Sequence, residues 1–299
     1  METNEIESYM KAGSIAKEVK AFMKTFVKKG MLLIEIAEGI ENKIRELGGE
    51  PAFPVNTSID EIAAHYTPVL GDESLAKGLL KVDVGVCVNG FIADFARSFD
   101  FSDGEHREMF ELNKGLLETS KKVIHKGMQV SEIGNALEAF LVKFNKENNA
   151  SYSIIGNLCG HTLGKDTIHA GTTISNIKNE SKDILSGAFA IEPFVTGGEG
   201  SVYEGACGGI YSLRGEGSVR DNDVRKILAF IKENYKTRPF CARWLELEKF
   251  KKIRFALSFL TKEGILHNYP LLIEKSKMPV SQFEDSFLVD EEKAICFSE

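Results

Sequence analysis

Residues 81–99 read KVDVGVCVNGFIADFARSF, and this stretch decides the fold. Two runs rich in β-branched and aromatic residues flank Asn89-Gly90, the dipeptide that most strongly predicts a two-residue hairpin turn. Because side chains alternate along a strand, this turn puts Asp83 and Asp94 on one face as diagonal neighbours. Two such carboxylates repel each other unless a cation joins them, so the hairpin predicts a metal site. A face turned to water is the open alternative for this pair alone.

Three further residues bear on that choice. His161 lies in CGHTLG, Glu192 interrupts the apolar run GAFAIEPFV, and Glu284 lies in the strand-like run SQFEDSFLV. An ionised Glu that is buried without a partner is very unfavourable, although either Glu could face solvent if taken singly. Jointly, three strands that carry carboxylates and one histidine between glycines predict a dinuclear, oxygen-rich metal site.

An internal repeat predicts two related halves with the site between them. Residues 29–41 read KGMLLIEIAEGIE and residues 126–138 read KGMQVSEIGNALE, at an offset of 97. Each unit reaches a histidine at nearly the same distance, His65 in the first and His161 in the second. Chance similarity between two amphipathic helices is the alternative. Two related halves would form a cleft, where an active site is expected.

The remaining elements follow from periodicity and turn residues. We expect helices over about 10–27, over the segment that ends at Gly48-Gly49, and over about 105–125 and 131–147, with Ser131 as the N-cap of the last. Strand-like runs recur at 187–195 and 280–289. The glycine-rich stretch 197–209 is expected to form turns and bulges near the site. The three histidines that belong to no motif, His106, His125 and His267, are expected to be surface or structural residues.

Composition limits the classes of function. The chain has 299 residues, with 37 Lys+Arg against 44 Asp+Glu and a net charge of −7, which argues against a protein that coats nucleic acid. Its five cysteines lie far apart without a CxxC motif, so we expect a reducing, cytoplasmic environment rather than disulfides or a cysteine zinc site. The polar start is no signal peptide, and no apolar run is long enough to span a membrane.

One segment differs in charge from the rest of the chain. Residues 220–262 hold 12 Lys+Arg and 5 Asp+Glu, a net of +7, which leaves −14 for the remainder. This contrast predicts an inserted helical subdomain, over about 210–272, within a single catalytic domain, 1–299. Lys249, Lys251, Lys252 and Arg254 cluster in EKFKKIRF. This cluster is either a solvated basic helix face or a surface that docks near ribosomal RNA.

Taken together, these motifs resemble the type II methionine aminopeptidases in their archaeal form, over nearly the whole chain. The stretches that carry the resemblance are PAFPVN and AAHYTP within 51–68, KVDVGVCVNGFIADFARSF, CGHTLGKDTIHAG, AIEPF and SQFEDSFLV. The resemblance implies the pita-bread fold, of class α/β (α+β), in which antiparallel sheets of two pseudo-twofold halves are covered by helices. It also implies that the insert is a small, winged-helix-like subdomain.

The resemblance further implies a ligand set and roles for the histidines. Asp83 would bind one divalent ion, Asp94 and Glu284 would bridge two ions, and His161 and Glu192 would complete the shell of the second. Glu192 would also carry a proton, His65 and His169 would contact the substrate, and Phe53 would form a wall of the methionine pocket. One imidazole and four carboxylates without a thiolate suit Co, Mn, Fe or Zn.

The implied reaction is removal of the N-terminal methionine from peptides and nascent chains. Hydroxide held between the two ions would attack the first peptide carbonyl, and the free α-amino group would bind one ion. A monomer that contacts no membrane is expected. Ser98 replaces a threonine that is frequent in the family, and no histidine follows Glu192 except His267.

Two other readings share the scaffold. The first is a proline-directed aminopeptidase or prolidase with the same five ligands. The second is a non-catalytic binding protein of the proliferation-associated type, which would have lost metal ligands. All five ligand positions are filled here. The sequence leaves the metal and the preferred second residue of the substrate open.

Overall fold

A computed structural model describes residues 1–290 and 293–299. The described helices are α1 Thr3–Phe26, α2 Leu33–Glu46, α3 Arg107–Val123, α4 Val130–Asn148, α5 Asn222–Asn234, α6 Ala242–Leu247 and α7 Ile253–Lys262. The described strands are β1 Glu50–Pro51, β2 Asn56–Ile59, β3 Ile62–Ala64, β4 Leu79–Val88, β5 Phe91–Asp100, β6 Ser153–Ile154, β7 Cys159–Leu163, β8 Thr173–Ser175, β9 Gly187–Ile191, β10 Phe194–Thr196, β11 Val202–Leu213, β12 Phe240–Cys241, β13 Leu266–Glu274, β14 Val280–Gln282, β15 Asp285–Val289 and β16 Ala294–Cys296. Within the described part of the chain, no helix is long and apolar enough to cross a membrane.

The predicted hairpin is confirmed with its register. β4 and β5 pair antiparallel around Asn89-Gly90, and Asp83 lies opposite Ala96. The valines on the other face of β4 are fully buried under α1 and α2, which contribute Ile15, Val19, Ile36 and Ile40 among others to the same core. This core fixes the hairpin, so the face that carries the aspartates is turned toward the second half of the chain.

The first four helices lie close to the predicted ranges, with two differences at helix starts. α1 begins at Thr3 rather than near residue 10, because the Glu5 carboxylate accepts a hydrogen bond from the Glu2 backbone N–H at 3.0 Å. The prediction of Ser131 as the N-cap of α4 is wrong. Gln129 is the N-cap, and its N–H donates to the Glu132 carboxylate at 2.7 Å. In both cases the first-turn glutamate satisfies an N–H that the helix itself leaves free.

The two repeat units adopt the same local structure. In the first, Leu33 N–H donates to Ser74 O and Met31 O accepts from Ala76. In the second, Val130 N–H donates to Asp183 O and Met128 O accepts from Leu185. Each KGM segment is thus held by one crossing strand-like segment before its helix begins, and the equivalent residues are 97 positions apart. The repeat is therefore structural and does not depend on amphipathicity alone.

Two strand runs of the second half change sheets together. β9 pairs with β15 in a five-stranded sheet of order β16-β15-β9-β7-β8, whereas their continuations β10 and β14 pair in a three-stranded sheet of order β14-β10-β6. The two-residue breaks between the sheets are 192–193 and 283–284. Both predicted glutamate ligands lie in these breaks.

The charge-rich segment forms α5, β12, α6 and α7, with its own apolar core around Ile227, Trp244 and Leu260. The segment lies between β11 and β13, two strands that pair with each other. The stretch 197–209 is less irregular than predicted, because most of it belongs to β11, in which two bulges interrupt the pairing with β13. We define residues 214–265, between β11 and β13, as the insert.

EKFKKIRF does not form the continuous basic helix face that was predicted. α6 ends at Leu247 and α7 begins at Ile253, and Lys249 and Lys252 have φ near +58° in the loop between them. Lys252 caps α7, and its ammonium lies 3.3 Å from Asp221 and 3.1 Å from Asp223. These two aspartates occupy the start of α5, so the charge of Lys252 is neutralised locally.

The insert is tied to α2 by a buried charged group. Glu41 accepts from the two terminal nitrogens of the Arg243 guanidinium, at 2.7 and 2.9 Å, and from Trp244 Nε1 at 2.8 Å. Both Glu41 and Arg243 are 1% exposed. Val55 N–H also donates to Glu41. A pair with this many hydrogen bonds is satisfied as it stands, but losing one charge would leave the other buried without a partner.

We predict that Glu41→Gln destabilises the protein by about 3–5 kcal/mol, because it leaves the Arg243 charge buried without a carboxylate. The measurement is the free energy of unfolding in urea. Glu46→Gln is the matched control, since Glu46 pairs with Lys43 on the exposed surface of the same helix, where such a pair is worth less than about 1 kcal/mol. Equal effects of the two substitutions would contradict this account of the insert's attachment.

Candidate metal centre

All eight residues that the sequence singled out line one cavity of about 340 Å³. The cavity lies between the aspartate face of the hairpin and the breaks 192–193 and 283–284, where strands of the second half change sheets. We call these two breaks the sheet switch. This is the position expected for a site between related halves. The predicted residues that line it are Phe53, His65, Asp83, Asp94, His161, His169, Glu192 and Glu284. The insert contributes Thr237 and Pro239.

The hairpin supplies two of the carboxylates and seats an aromatic wall beside them. Asp83 comes from β4 and Asp94 from β5, where it lies opposite Gly85. A Cβ at Gly85 would lie 2.4 Å from the Phe53 ring, so the small residue makes room for that ring. Phe53 therefore occupies the space opposite Asp94 and lines the cavity there.

The sheet switch supplies the other two carboxylates. Glu284 pairs with Ala96 of β5 through two backbone hydrogen bonds, which joins the break directly to the hairpin. The carbonyl of Glu192 accepts from the Asn176 side chain at 3.1 Å. Glu284 is 1% exposed, so the alternative that it faces solvent is excluded.

His161 completes the group from β7. Its Nε2 lies 3.8 Å from Asp94 Oδ2 and 3.6 Å from Glu192 Oε1. Asp94, His161 and Glu284 each offer one ligand atom, and these three atoms lie within 4.8 Å of one another. This arrangement could hold a metal ion. Three buried polar atoms of this group have no hydrogen-bond partner among the described residues: Asp83 Oδ1, Asp94 Oδ1 and His161 Nδ1.

The electrostatics of the group call for a cation. Burial raises the pKa of Asp83 to about 7. Burial, followed by repulsion from neighbouring carboxylates, raises the pKa of Asp94, Glu192 and Glu284 well above the usual range. Burial lowers the pKa of His161 to about 3, which keeps its imidazole neutral and able to act as a ligand. Four crowded carboxylates, two of them with an oxygen that lacks a hydrogen-bond partner, and one neutral imidazole fit divalent ions of the first transition row.

Two more histidines face the cavity without belonging to this group. His65 has φ +69°, and its ring Nδ1 lies 3.0 Å from Pro270 O. The backbone of Gly208 passes so close that a Cβ there would lie 2.0 Å from His65 O, so this position excludes any side chain. Burial lowers the pKa of His65 to about 4, so its ring is neutral.

His169 lies in the loop between β7 and β8. Its ring meets that of His161 edge to face, with centroids 4.3 Å apart. Burial lowers the pKa of His169, so a neutral imidazole again faces the cavity. The histidines outside the motifs lie elsewhere: His125 is exposed beside Glu132, His106 precedes α3, and His267 packs against Tyr269.

Gln282 is a cavity-side contact that sequence reasoning missed. Its Nε2 donates to Asp83 Oδ2 at 3.2 Å and to Glu284 Oε2 at 3.4 Å, and thereby links the hairpin to the sheet switch. The signal was present, because Gln282 precedes Glu284 by two positions in a strand-like run. Ser98 holds this residue in place, since its hydroxyl donates to the Gln282 carbonyl and accepts from the Gln282 N–H.

A second missed group lies behind the carboxylates. Arg97 donates to Glu284 O at 2.6 Å and to both oxygens of Asp285 at 2.9 and 3.1 Å. Lys20 and Lys121 also approach the fully buried Asp285. Arg97 thus binds the backbone of Glu284, and the three cations together hold the carboxylate of the next residue; none of them lines the cavity. They also lower the pKa of Asp285, against the effect of its burial.

Residues 7–225 match the model of metallopeptidase family M24. The chain therefore belongs to this family of metallopeptidases. Its fold is that of the family, the predicted pita-bread fold of mixed helices and antiparallel sheets. Solved structures agree with this fold at low sequence identity. The methionine aminopeptidase of Rickettsia prowazekii matches with a TM-score of 0.68 at 17% identity, over 100% of this chain and 98% of that one.

Within the family, relatives that match nearly the whole of this chain place it among the methionine aminopeptidases. The methionine aminopeptidase of Pyrococcus horikoshii is 38% identical over 99% of this chain and 100% of its own length. The methionine aminopeptidase 2 of Lodderomyces elongisporus is 33% identical over 98% of this chain and 66% of its own length. The Pyrococcus furiosus prolidase shares the fold, with a TM-score of 0.60 at 16% identity, over 100% of this chain and 64% of that one.

We predict that Asp94→Asn nearly abolishes hydrolysis of methionyl peptides and leaves the circular dichroism spectrum unchanged. A neutral amide in place of one of these crowded carboxylates would bind a divalent cation far more weakly. Asp100→Asn is the matched control, because Asp100 lies at the end of the same strand and bonds to Ser102. Activity of Asp94→Asn within tenfold of the wild type would refute the assignment of this centre.

Proposed function

We propose that this chain removes the N-terminal methionine from peptides and nascent proteins and that Asp83, Asp94, His161, Glu192 and Glu284 hold two divalent ions. The observation that carries the proposal is the convergence of four carboxylates, two buried and two half-buried, and a neutral imidazole in one cavity. The names of the relatives that match nearly the whole of this chain support methionyl peptides as the substrate. Co, Mn, Fe or Zn would suit these ligands.

When bound, such ions would polarise the scissile carbonyl and make water a nucleophile at neutral pH. The chain's own residues then divide the remaining work. The Glu192 carboxylate, whose pKa is raised by burial and by neighbouring carboxylates, can accept a proton and pass it to the leaving amine. His169 is neutral and can donate an N–H to the oxygen on which charge develops. The single N–H of neutral His65 is on Nδ1 and donates to Pro270 O, so its Nε2 can accept a hydrogen bond from the substrate.

The shape of the cavity supports a substrate with an apolar first residue. Phe53, Ile168 and Phe194 line it together with the histidines. These apolar walls suit the long thioether side chain of methionine, and the polar groups at the other side suit the peptide bond. Phe53 is thus proposed to contact the side chain, and His65 and His169 the peptide.

The deciding experiment compares two peptides after metal exchange. The protein is stripped with a chelator, single divalent metals are restored, and release of methionine from Met-Ala-Ser is compared with cleavage of an X-Pro peptide. We expect the methionyl peptide to be cleaved and the X-Pro peptide to remain intact. Preference for the X-Pro peptide would favour a prolidase, and no cleavage with any metal would favour a binding protein.

We predict that His169→Ala slows the chemical step about 10²–10³-fold, as loss of one oxyanion donor does. Because His169 is not proposed as a ligand, the metal content should stay near two ions per chain. The measurements are single-turnover hydrolysis and elemental analysis of the purified variant. Loss of an ion from the variant would show that His169 helps to hold the metal.

We further propose that the enzyme acts as a cytoplasmic monomer on emerging chains, with the insert docking to ribosomal RNA. All five cysteines are free thiols, in keeping with a reducing compartment. Lys249, Lys251 and Arg254 are exposed on the insert and make no ion pair in the described part of the chain. They can contact phosphates without first breaking a pair.

We predict that changing Lys249, Lys251 and Arg254 to Glu weakens co-sedimentation with ribosomes at low salt, since each lost phosphate contact lowers the log-log salt slope by roughly one. The matched control changes three exposed lysines elsewhere, Lys122, Lys143 and Lys146, to Glu. Both variants should cleave free Met-Ala-Ser normally. Equal sedimentation of the two would leave the insert's basic residues as solvated surface.

A further inference from the structure

Asp166 joins the loop that follows β7 to the insert. Its Oδ2 lies 2.7 Å from the Lys236 ammonium, and its Oδ1 lies 3.4 Å from Arg238 Nε. The hydroxyl of Thr237, between these two cations, donates to the Asp166 carbonyl at 2.5 Å. Three consecutive residues of the insert therefore bind one residue of the loop.

The loop side of this joint is itself fixed. Asp166 N–H donates to Gly90 O in the hairpin turn at 2.7 Å, and Asp166 is 8% exposed. Its φ is +54°, a conformation that Asp and Asn tolerate better than most residues. A carboxylate held at this burial needs the two cations that it has. The joint thus anchors the insert to the turn of the hairpin in the first half.

Both sides of the joint continue into the cavity wall. The three residues after Asp166, Thr167 to His169, line the cavity, and so do Thr237 and Pro239 on either side of Arg238. Arg238 also donates to Pro51 O at 3.2 Å, two residues before Phe53. The segment 236–239 therefore spans from the loop of His169 to the aromatic wall, where the first side chain of the substrate is proposed to bind.

We infer that Asp166 is a positioning residue that locks segment 236–239 as a wall of the cavity and thereby sets the size of side chain that the enzyme accepts. The inference rests on the proposed function. The substrate class it names is peptides with an unbranched apolar first residue. Releasing the wall would admit branched or larger residues and weaken the grip on methionine.

The variants Asp166→Asn and Lys236→Met test this inference, each with the metals in place. Asn keeps the backbone conformation and removes the charge. We expect the ratio of kcat/KM for Met-Ala-Ser over Leu-Ala-Ser to fall about tenfold, within the range by which a pocket discriminates similar side chains. The change should lie in KM, and the double variant should lose no more than either single one.

Asp223→Asn is the matched control, because Asp223 forms an ion pair with Lys252 within the insert and lies outside the cavity. It should leave the peptide ratio unchanged. An unchanged ratio in Asp166→Asn would overturn the specificity role, and so would an equal fall in the control.

Hydrogen exchange of the amides of residues 236–238, 240 and 241 separates this inference from the proposed function, because it needs no substrate. Faster exchange is expected in Asp166→Asn and wild-type exchange in Asp223→Asn. Unchanged exchange in Asp166→Asn would overturn the lock, whatever peptide the enzyme cleaves. Absence of cleavage by the wild type would overturn the proposed function, and the exchange result would still decide whether Asp166 holds the wall.

Discussion

The repulsion among four carboxylates crowded into one cavity is the constraint on which the rest of this structure depends. Asp83, Asp94, Glu192 and Glu284 would be unfavourable together without cations, and their raised pKa values record that cost. The fold therefore has to hold them rigidly where divalent ions can join them. The other polar groups that line the cavity are neutral imidazoles, amides and hydroxyls, and no lysine or arginine is among its lining residues.

Two simple backbone devices bring the carboxylates together. A two-residue turn sets the hairpin register and places two of them on one face. The paired change of sheet by β9 and β15 places the other two in adjacent breaks. Backbone hydrogen bonds between Glu284 and Ala96 join the second break to the hairpin, and Arg97 donates to the carbonyl of Glu284 at this junction. The geometry of the site thus follows from pairing rather than from flexible loops.

The local parts of this arrangement could be predicted and the long-range parts could not. Asn89-Gly90 specifies a register, so the shared face of Asp83 and Asp94 followed from the sequence. Arg97 and Asp166 gave no such signal, because their partners lie 188 and 70 residues away. Nothing in a one-dimensional pattern shows which of many surface charges will be buried against each other. The N-cap of α4 was missed because a Gln–Glu pair replaced the expected serine.

The most direct test is the location of metal in a crystal of the purified protein supplied with Mn²⁺, determined by anomalous scattering. The account predicts two adjacent anomalous peaks inside the cavity, contacted by the carboxylates of Asp94 and Glu284. A single peak in the cavity would contradict it. So would the absence of any peak beside these carboxylates while Mn²⁺ is bound elsewhere in the crystal.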